Sequence, residues 1–124
     1  MKLLIVDDSK AMRMIVARTL RQAGYGGAVT REAQNGREAL DAIRSDPPDL
    51  VLCDWNMPEM SGIDLLVCLN AEGPHVPFGF VTTEASPSKR ERARQEGAVF
   101  LIAKPFTAET LASALSPLLG PGLP

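Results

Sequence analysis

Four short apolar runs, each closed by a polar or charged residue, constrain this chain more than anything else in it. They are Lys2–Val6 before Asp7-Asp8, Leu50–Cys53 before Asp54, Phe78–Val81 before Thr82, and Val99–Ala103 before Lys104. A fifth, weaker run lies at Ala28–Glu32. The runs are continuous and not alternating, so these strands have no solvent face. That pattern belongs to a parallel sheet covered on both sides.

The segments between the runs supply the covers. From Ser9 to Ala23, Met12, Val16, Leu20 and Ala23 recur at helical spacing, with Arg13, Arg18 and Arg21 off the stripe, and Gly24, Gly26 and Gly27 end the helix. Asn35-Gly36 opens a second helix with Ala39, Leu40 and Ile43 inward, which stops before Pro47-Pro48. A loop from Trp55 to Ser61 leads into a short helix from about Gly62 to Asn70. Ser86-Pro87 reads as N-cap and first residue of a polar helix reaching Glu96. Thr107 caps a last helix with Leu111, Leu115 and Leu118 on one stripe, which Pro117 is expected to kink or end early because it lacks an N–H. Five strands alternating with five helices through right-handed crossovers predict a doubly wound α/β domain.

A length of 124 residues allows one domain, read as 1–120 with a flexible tail at 121–124. Thirteen basic against fifteen acidic side chains leave no electrostatic footprint for nucleic acid or an anionic membrane. No apolar stretch approaches the roughly 20 residues that span a bilayer. The N-terminus meets two aspartates after four apolar residues, too soon for a secretory signal. Cys53 and Cys68 read as reduced core thiols. One histidine, His75, excludes a multi-histidine zinc site and any Ser-His-Asp triad not built on it. A cytoplasmic protein is expected.

Ligands of doubly wound sheets bind beyond the carboxyl ends of the strands. There the chain places Asp7, Asp8, Asp54, Thr82 and Lys104. Carboxylates so crowded repel one another, and a hard divalent cation with oxygen ligands, such as Mg²⁺, removes the conflict.

VDDS at Val6–Ser9, DWNMPEMSG at Asp54–Gly62, Thr82 after its apolar run, and AKPFT at Ala103–Thr107 stand in a specific order and spacing. On these residues the chain resembles the receiver domains of two-component response regulators, in particular the single-domain chemotaxis (CheY-like) type, over about residues 2–119. The resemblance implies a flavodoxin-like strand order, 2-1-3-4-5. It implies that Asp54 takes a phosphoryl group from a sensor histidine kinase or phosphotransfer protein. Asp7, Asp8, Asp54 and the backbone carbonyl of Asn56 would hold Mg²⁺ (or Mn²⁺), with Asp8 the more direct of the first two. Lys104 would offer a mobile charge and Thr82 a hydroxyl to the phosphoryl oxygens. A cis peptide would precede Pro105, and Gly62 would supply a backbone conformation barred to other residues. Such a protein is a switch, not an enzyme: a monomer that binds a downstream protein through its helix 4/strand 5/helix 5 face.

Two positions depart from the family. Receivers carry an aromatic residue three positions before the lysine, where this chain has Leu101; Phe100 is one residue off and so on the opposite strand face. The residue after Thr82 is usually very small, and here it is Thr83, expected to crowd the phosphate entrance. Trp55 reads as a partly exposed residue beside the site, Met57 and Pro58 as loop-shaping residues, and SKRERARQEG as a solvated helix face or a docking face.

Other readings meet specific obstacles. A flavin phosphate wants an anion-friendly loop after the first strand, where this chain has two aspartates. A haloacid-type phosphatase wants a second acid where Asn56 stands. A DNA-binding regulator would need a helix-turn-helix outside this sequence, and a degenerate receiver would lack site residues that are all present.

Overall fold

A computed structural model describes residues 1–122. Its elements run β1 (Lys2–Val6), α1 (Lys10–Leu20), β2 (Val29–Ala33), α2 (Gly36–Ser45), β3 (Leu50–Cys53), α3 (Gly62–Glu72), β4 (Phe78–Thr82), α4 (Pro87–Gln95), β5 (Phe100–Ala103) and α5 (Ala108–Leu119). The strands form one parallel sheet in the order β2-β1-β3-β4-β5. The reversal of strand order between β1 and β3 opens a crevice at the carboxyl edge. The tail expected at 121–124 falls partly outside the described residues.

Alternate residues of each strand feed two cores, because a strand's side chains point to opposite faces. Leu4, Val6, Val51, Cys53 and Phe80 pack with α2, α3 and α4 residues such as Ala39, Ile43, Leu65 and Ala93. Leu3, Ile5, Leu50, Leu52, Val81 and Ile102 pack with Val16 and Leu20 of α1 and Leu111 and Leu115 of α5. Every helix begins on an extended residue whose side-chain oxygen accepts a backbone N–H of the first turn: Ser9, Asn35, Ser61, Ser86 and Thr107.

The tertiary structure corrects several sequence expectations. The first helix does not reach Ala23 as regular α-helix. It ends at Leu20 and widens into a π-type turn over Arg21–Tyr25, which lets Gly24 take φ 99° and seats Tyr25 in the core. Tyr25 Oη then donates to the Gly120 carbonyl at 2.9 Å. Pro117 does not end α5 early, for the helix continues to Leu119 and the Gly120 N–H bonds the Ser116 carbonyl. Pro117 is exposed, so the carbonyl it leaves without a donor can be met by water. Leu118, expected on the buried stripe, is exposed. Cys68, expected in the core, is only half-buried and belongs to neither core cluster, whereas Cys53 is fully buried. No helix of the described residues is long and apolar enough to cross a membrane.

Candidate functional site

β1 and β3 are adjacent and parallel, with Val6 opposite Cys53, so Asp7 and Asp54 leave the sheet side by side. The Asp54 N–H donates to the Val6 carbonyl at 2.9 Å and holds the two strand ends in register. Asp8 follows directly, and carboxylate oxygens of Asp7, Asp8 and Asp54 lie within 4.8 Å of one another. Lys104 comes from the end of β5. Its Nζ stands 3.0 Å from Asp7 Oδ2 and 3.4 Å from Asp54 Oδ2.

The members differ in environment. Asp7 is buried, its Oδ1 accepting the Ser9 N–H at 2.9 Å and its Oδ2 facing Lys104. Asp54 is half-buried, and its Oδ1 accepts the N–H of Trp55 at 2.7 Å. Asp8 is exposed and has no hydrogen bond or ion pair among the described residues. Two of the three carboxylates therefore share one ammonium, and the surplus negative charge sits where solvent meets the crevice. This donor set suits a hard, oxygen-seeking cation. The lysine expected to be mobile is, in this state, held between two carboxylates with its side chain only 10% exposed.

Thr82 ends β4 fully buried, and its Oγ1 accepts the Glu84 N–H at 3.1 Å. The Lys104 N–H donates to the Thr82 carbonyl at 2.9 Å, so the threonine and lysine strand ends are laced together. The peptide before Pro105 is cis, as expected. Thr83 is exposed and lines an apolar cleft of about 290 Å³ with Met12, Ile15, Lys104, Pro105 and Phe106. Asn56 is exposed in the loop after Trp55.

Gly62 is required for another reason than the one anticipated. Its backbone is not in the left-handed region. A Cβ there would overlap the Asp54 carbonyl oxygen and press on Phe80 Cε1 at 3.0 Å. The Gly62 N–H also donates to the Trp55 carbonyl at 2.8 Å, clasping the start of α3 against the acidic strand end. Absence of a side chain, and not torsional freedom, lets α3 approach.

Trp55, expected to be partly exposed, is buried at 8% exposure. Its ring packs on Phe80 at a 38° tilt with centroids 4.8 Å apart, and Lys89 Nζ sits 5.5 Å from the ring centroid. Leu101 is half-buried in the core on the α4 side, whereas Phe100 packs on the α1/α5 side, confirming that the two lie on opposite faces. Phe100 is opposite Gly79 across β4 and β5, and its ring fills the space a Cβ would take there.

Sequence reasoning missed Arg13, treated only as a residue off the buried stripe. Its Nη1 donates to the Asp7 carbonyl at 2.7 Å and its Nε to Glu32 Oε1 at 2.8 Å, tying the first acidic loop to β2. Its place one turn after the Ser9 cap was the available signal. The Cys53 thiol donates to the Asp54 carbonyl at 3.1 Å. Burial first, then the Asp54 and Asp7 carboxylates, push its pKa well above the ordinary value, with Lys104 opposing.

An acidic pair and a third carboxylate at the switch point, faced by a lysine and a threonine from neighbouring strand ends, define a receiver-type site. The family model for the response regulator receiver domain matches residues 3–116, and the chain belongs to that family. Chemotaxis protein CheY-3 of Vibrio cholerae is 44% identical over 117 residues, which cover 93% of this chain and 88% of that protein. Chemotaxis protein CheY of Pseudomonas aeruginosa is 42% identical over 113 residues, 90% of each chain. The crystal structure of the chemotaxis response regulator CheY4 of Vibrio cholerae superposes with a TM-score of 0.81 at 36% identity, covering 95% of this chain and 98% of that one. This is a CheY-like receiver of two-component signalling.

Proposed function

We propose that the protein is a phosphorylation-controlled switch whose phosphoacceptor is Asp54. One observation carries this reading: the half-buried Asp54 carboxylate shares the Lys104 ammonium with Asp7 at the sheet's switch point, and Asp8 is left free beside them.

An Asp54 oxygen attacks the phosphorus of a phosphohistidine on a sensor kinase or phosphotransfer protein. A P–O bond forms, the P–N bond breaks, and the imidazole leaves with the bonding pair and takes a proton. Most of the protein's contribution to such a step is positioning and charge neutralisation. Asp7, Asp8, Asp54 and the Asn56 carbonyl would hold Mg²⁺, or Mn²⁺ in its place, which when bound offsets the charge of the carboxylates and the phosphoryl oxygens. Lys104 exchanges a carboxylate for a phosphoryl oxygen while remaining a point charge in the crevice. Thr82 offers its hydroxyl, free to donate because the Glu84 N–H occupies only a lone pair.

The chain catalyses only its own phosphorylation and dephosphorylation and is otherwise a binding module. Its output is a change of affinity for a downstream protein on the α4/β5/α5 face. It acts as a cytoplasmic monomer and contacts neither nucleic acid nor membrane. The test is phosphorylation with Mg²⁺ and a small acyl-phosphate donor. One acid-stable, base-labile phosphoryl group is expected on the protein, and none on Asp54→Asn. Label on Ser9, Thr82 or His75 would overturn the assignment.

A further inference from the structure

In this chain an aromatic ring does lie between the site and α4, but it is not at residue 101. Trp55 follows Asp54 and gives its backbone N–H to that carboxylate at 2.7 Å. Its indole is buried against Phe80 on one side. Near the ring lies Lys89, in the first turn of α4, its Nζ 5.5 Å from the centroid and within cation–π reach. The same ammonium lies 3.1 Å from Glu84 Oε2. The Glu84 N–H in turn donates to Thr82 Oγ1. These contacts close a circuit from Asp54 through Trp55, Lys89 and Glu84 to Thr82.

We propose that Lys89 is the positioning residue that carries the state of the site to α4, latching the first turn of that helix between the Trp55 ring and Glu84. This inference rests on Asp54 being the phosphoacceptor.

The physical reasoning concerns which contacts can respond. A phosphoryl group on Asp54 carries about −1.5 to −2 charges and replaces a carboxylate of −1, so the site gains about −0.5 to −1. It draws the Thr82 hydroxyl toward itself, and the Glu84 backbone follows because it is bonded to that oxygen. The Glu84 carboxylate then pulls on Lys89, whose two attachments are now displaced relative to each other. The Lys89 N–H is also the group capped by Ser86 Oγ, at 3.3 Å, so a displaced Lys89 loosens the start of the helix. Leu101 has no comparable link. Its side chain is apolar, and its carbonyl is held by Arg90 Nη1 at 3.1 Å.

The test compares wild type, Lys89→Met, Lys89→Arg and Leu101→Ala with and without beryllofluoride and Mg²⁺. Fluorine NMR reports occupancy of the site, and amide shifts at residues 86–92 and the Trp55 indole N–H report the response. Lys89→Met keeps an unbranched side chain of similar length but loses the charge. It should bind beryllofluoride while losing more than half of the shift change at residues 86–92. Lys89→Arg should restore it, and Leu101→Ala should leave it near the wild-type size. A full response in Lys89→Met, or its loss in Leu101→Ala, overturns the latch and leaves the phosphoacceptor reading standing. Absence of bound beryllofluoride in the wild type would overturn both.

Discussion

Removing Asp8 should stabilise the metal-free protein while abolishing its response to metal. Asp8 adds a third carboxylate within 4.8 Å of two others, and Lys104 is already shared between those two. The rest of the site therefore presents about one net negative charge to it. Like unit charges 4.8 Å apart repel by about 3.5 kcal/mol at an effective dielectric of 20 and by about 0.9 kcal/mol in bulk water. Asp8 is exposed, so screening places the gain from Asp8→Asn near the lower figure, about 1 kcal/mol. For a domain of this size that raises Tm by about 3–5 °C. Mg²⁺ at ten times its dissociation constant should stabilise the wild type by about 1.4 kcal/mol and the variant by almost nothing. Urea unfolding followed by circular dichroism, at zero and saturating Mg²⁺, measures both effects. If Asp8→Asn is less stable than wild type without metal, or gains as much from Mg²⁺, the site is not a repulsive cluster awaiting a cation. A control at exposed Asp41 of α2, Asp41→Asn, should move neither value.

Gly62→Ala should destabilise the fold by about 1–3 kcal/mol, because its methyl overlaps the Asp54 carbonyl, and should slow phosphorylation as that residue shifts; urea midpoints and uptake rates check both. Thr83→Ala should speed both phosphate uptake from small donors and phosphate loss by opening the cleft beside Lys104, and unchanged rates would show that Thr83 does not obstruct it. The Cys53 thiol, with its pKa raised by burial and two carboxylates, should resist a thiolate-directed reagent at neutral pH until the protein unfolds, while Cys68 reacts in the folded state. Because the unfolded thiol ionises first, the folded state keeps this contribution below about pH 9 and loses it as pH rises further, a slope that Cys53→Ala should remove from the alkaline limb of the stability profile.

The sequence by itself determined the layers, the order of elements and the residues at the carboxyl edge. Continuous apolar runs can be buried on both faces only in a covered parallel sheet, and a polar residue ending such a run must emerge at its rim. Asp7, Asp54, Thr82 and Lys104 were therefore legible from position alone. The strand order came from resemblance and not from periodicity, since periodicity does not say which strands are neighbours. What only the tertiary structure decided depended on contacts between distant segments. Trp55 is buried because Phe80 and Lys89 arrive from β4 and α4, and nothing around Trp55 in the chain announces them. Gly62 is needed because the Asp54 carbonyl lies against it, a matter of space that torsional reasoning mistook for φ. Pro117 is tolerated inside α5 because the carbonyl it deprives faces water, and a local rule cannot know which side of a helix is wet. Lys104 is shared by two carboxylates because three strand ends from separate parts of the chain converge there, so the pairing exists only once the sheet has formed.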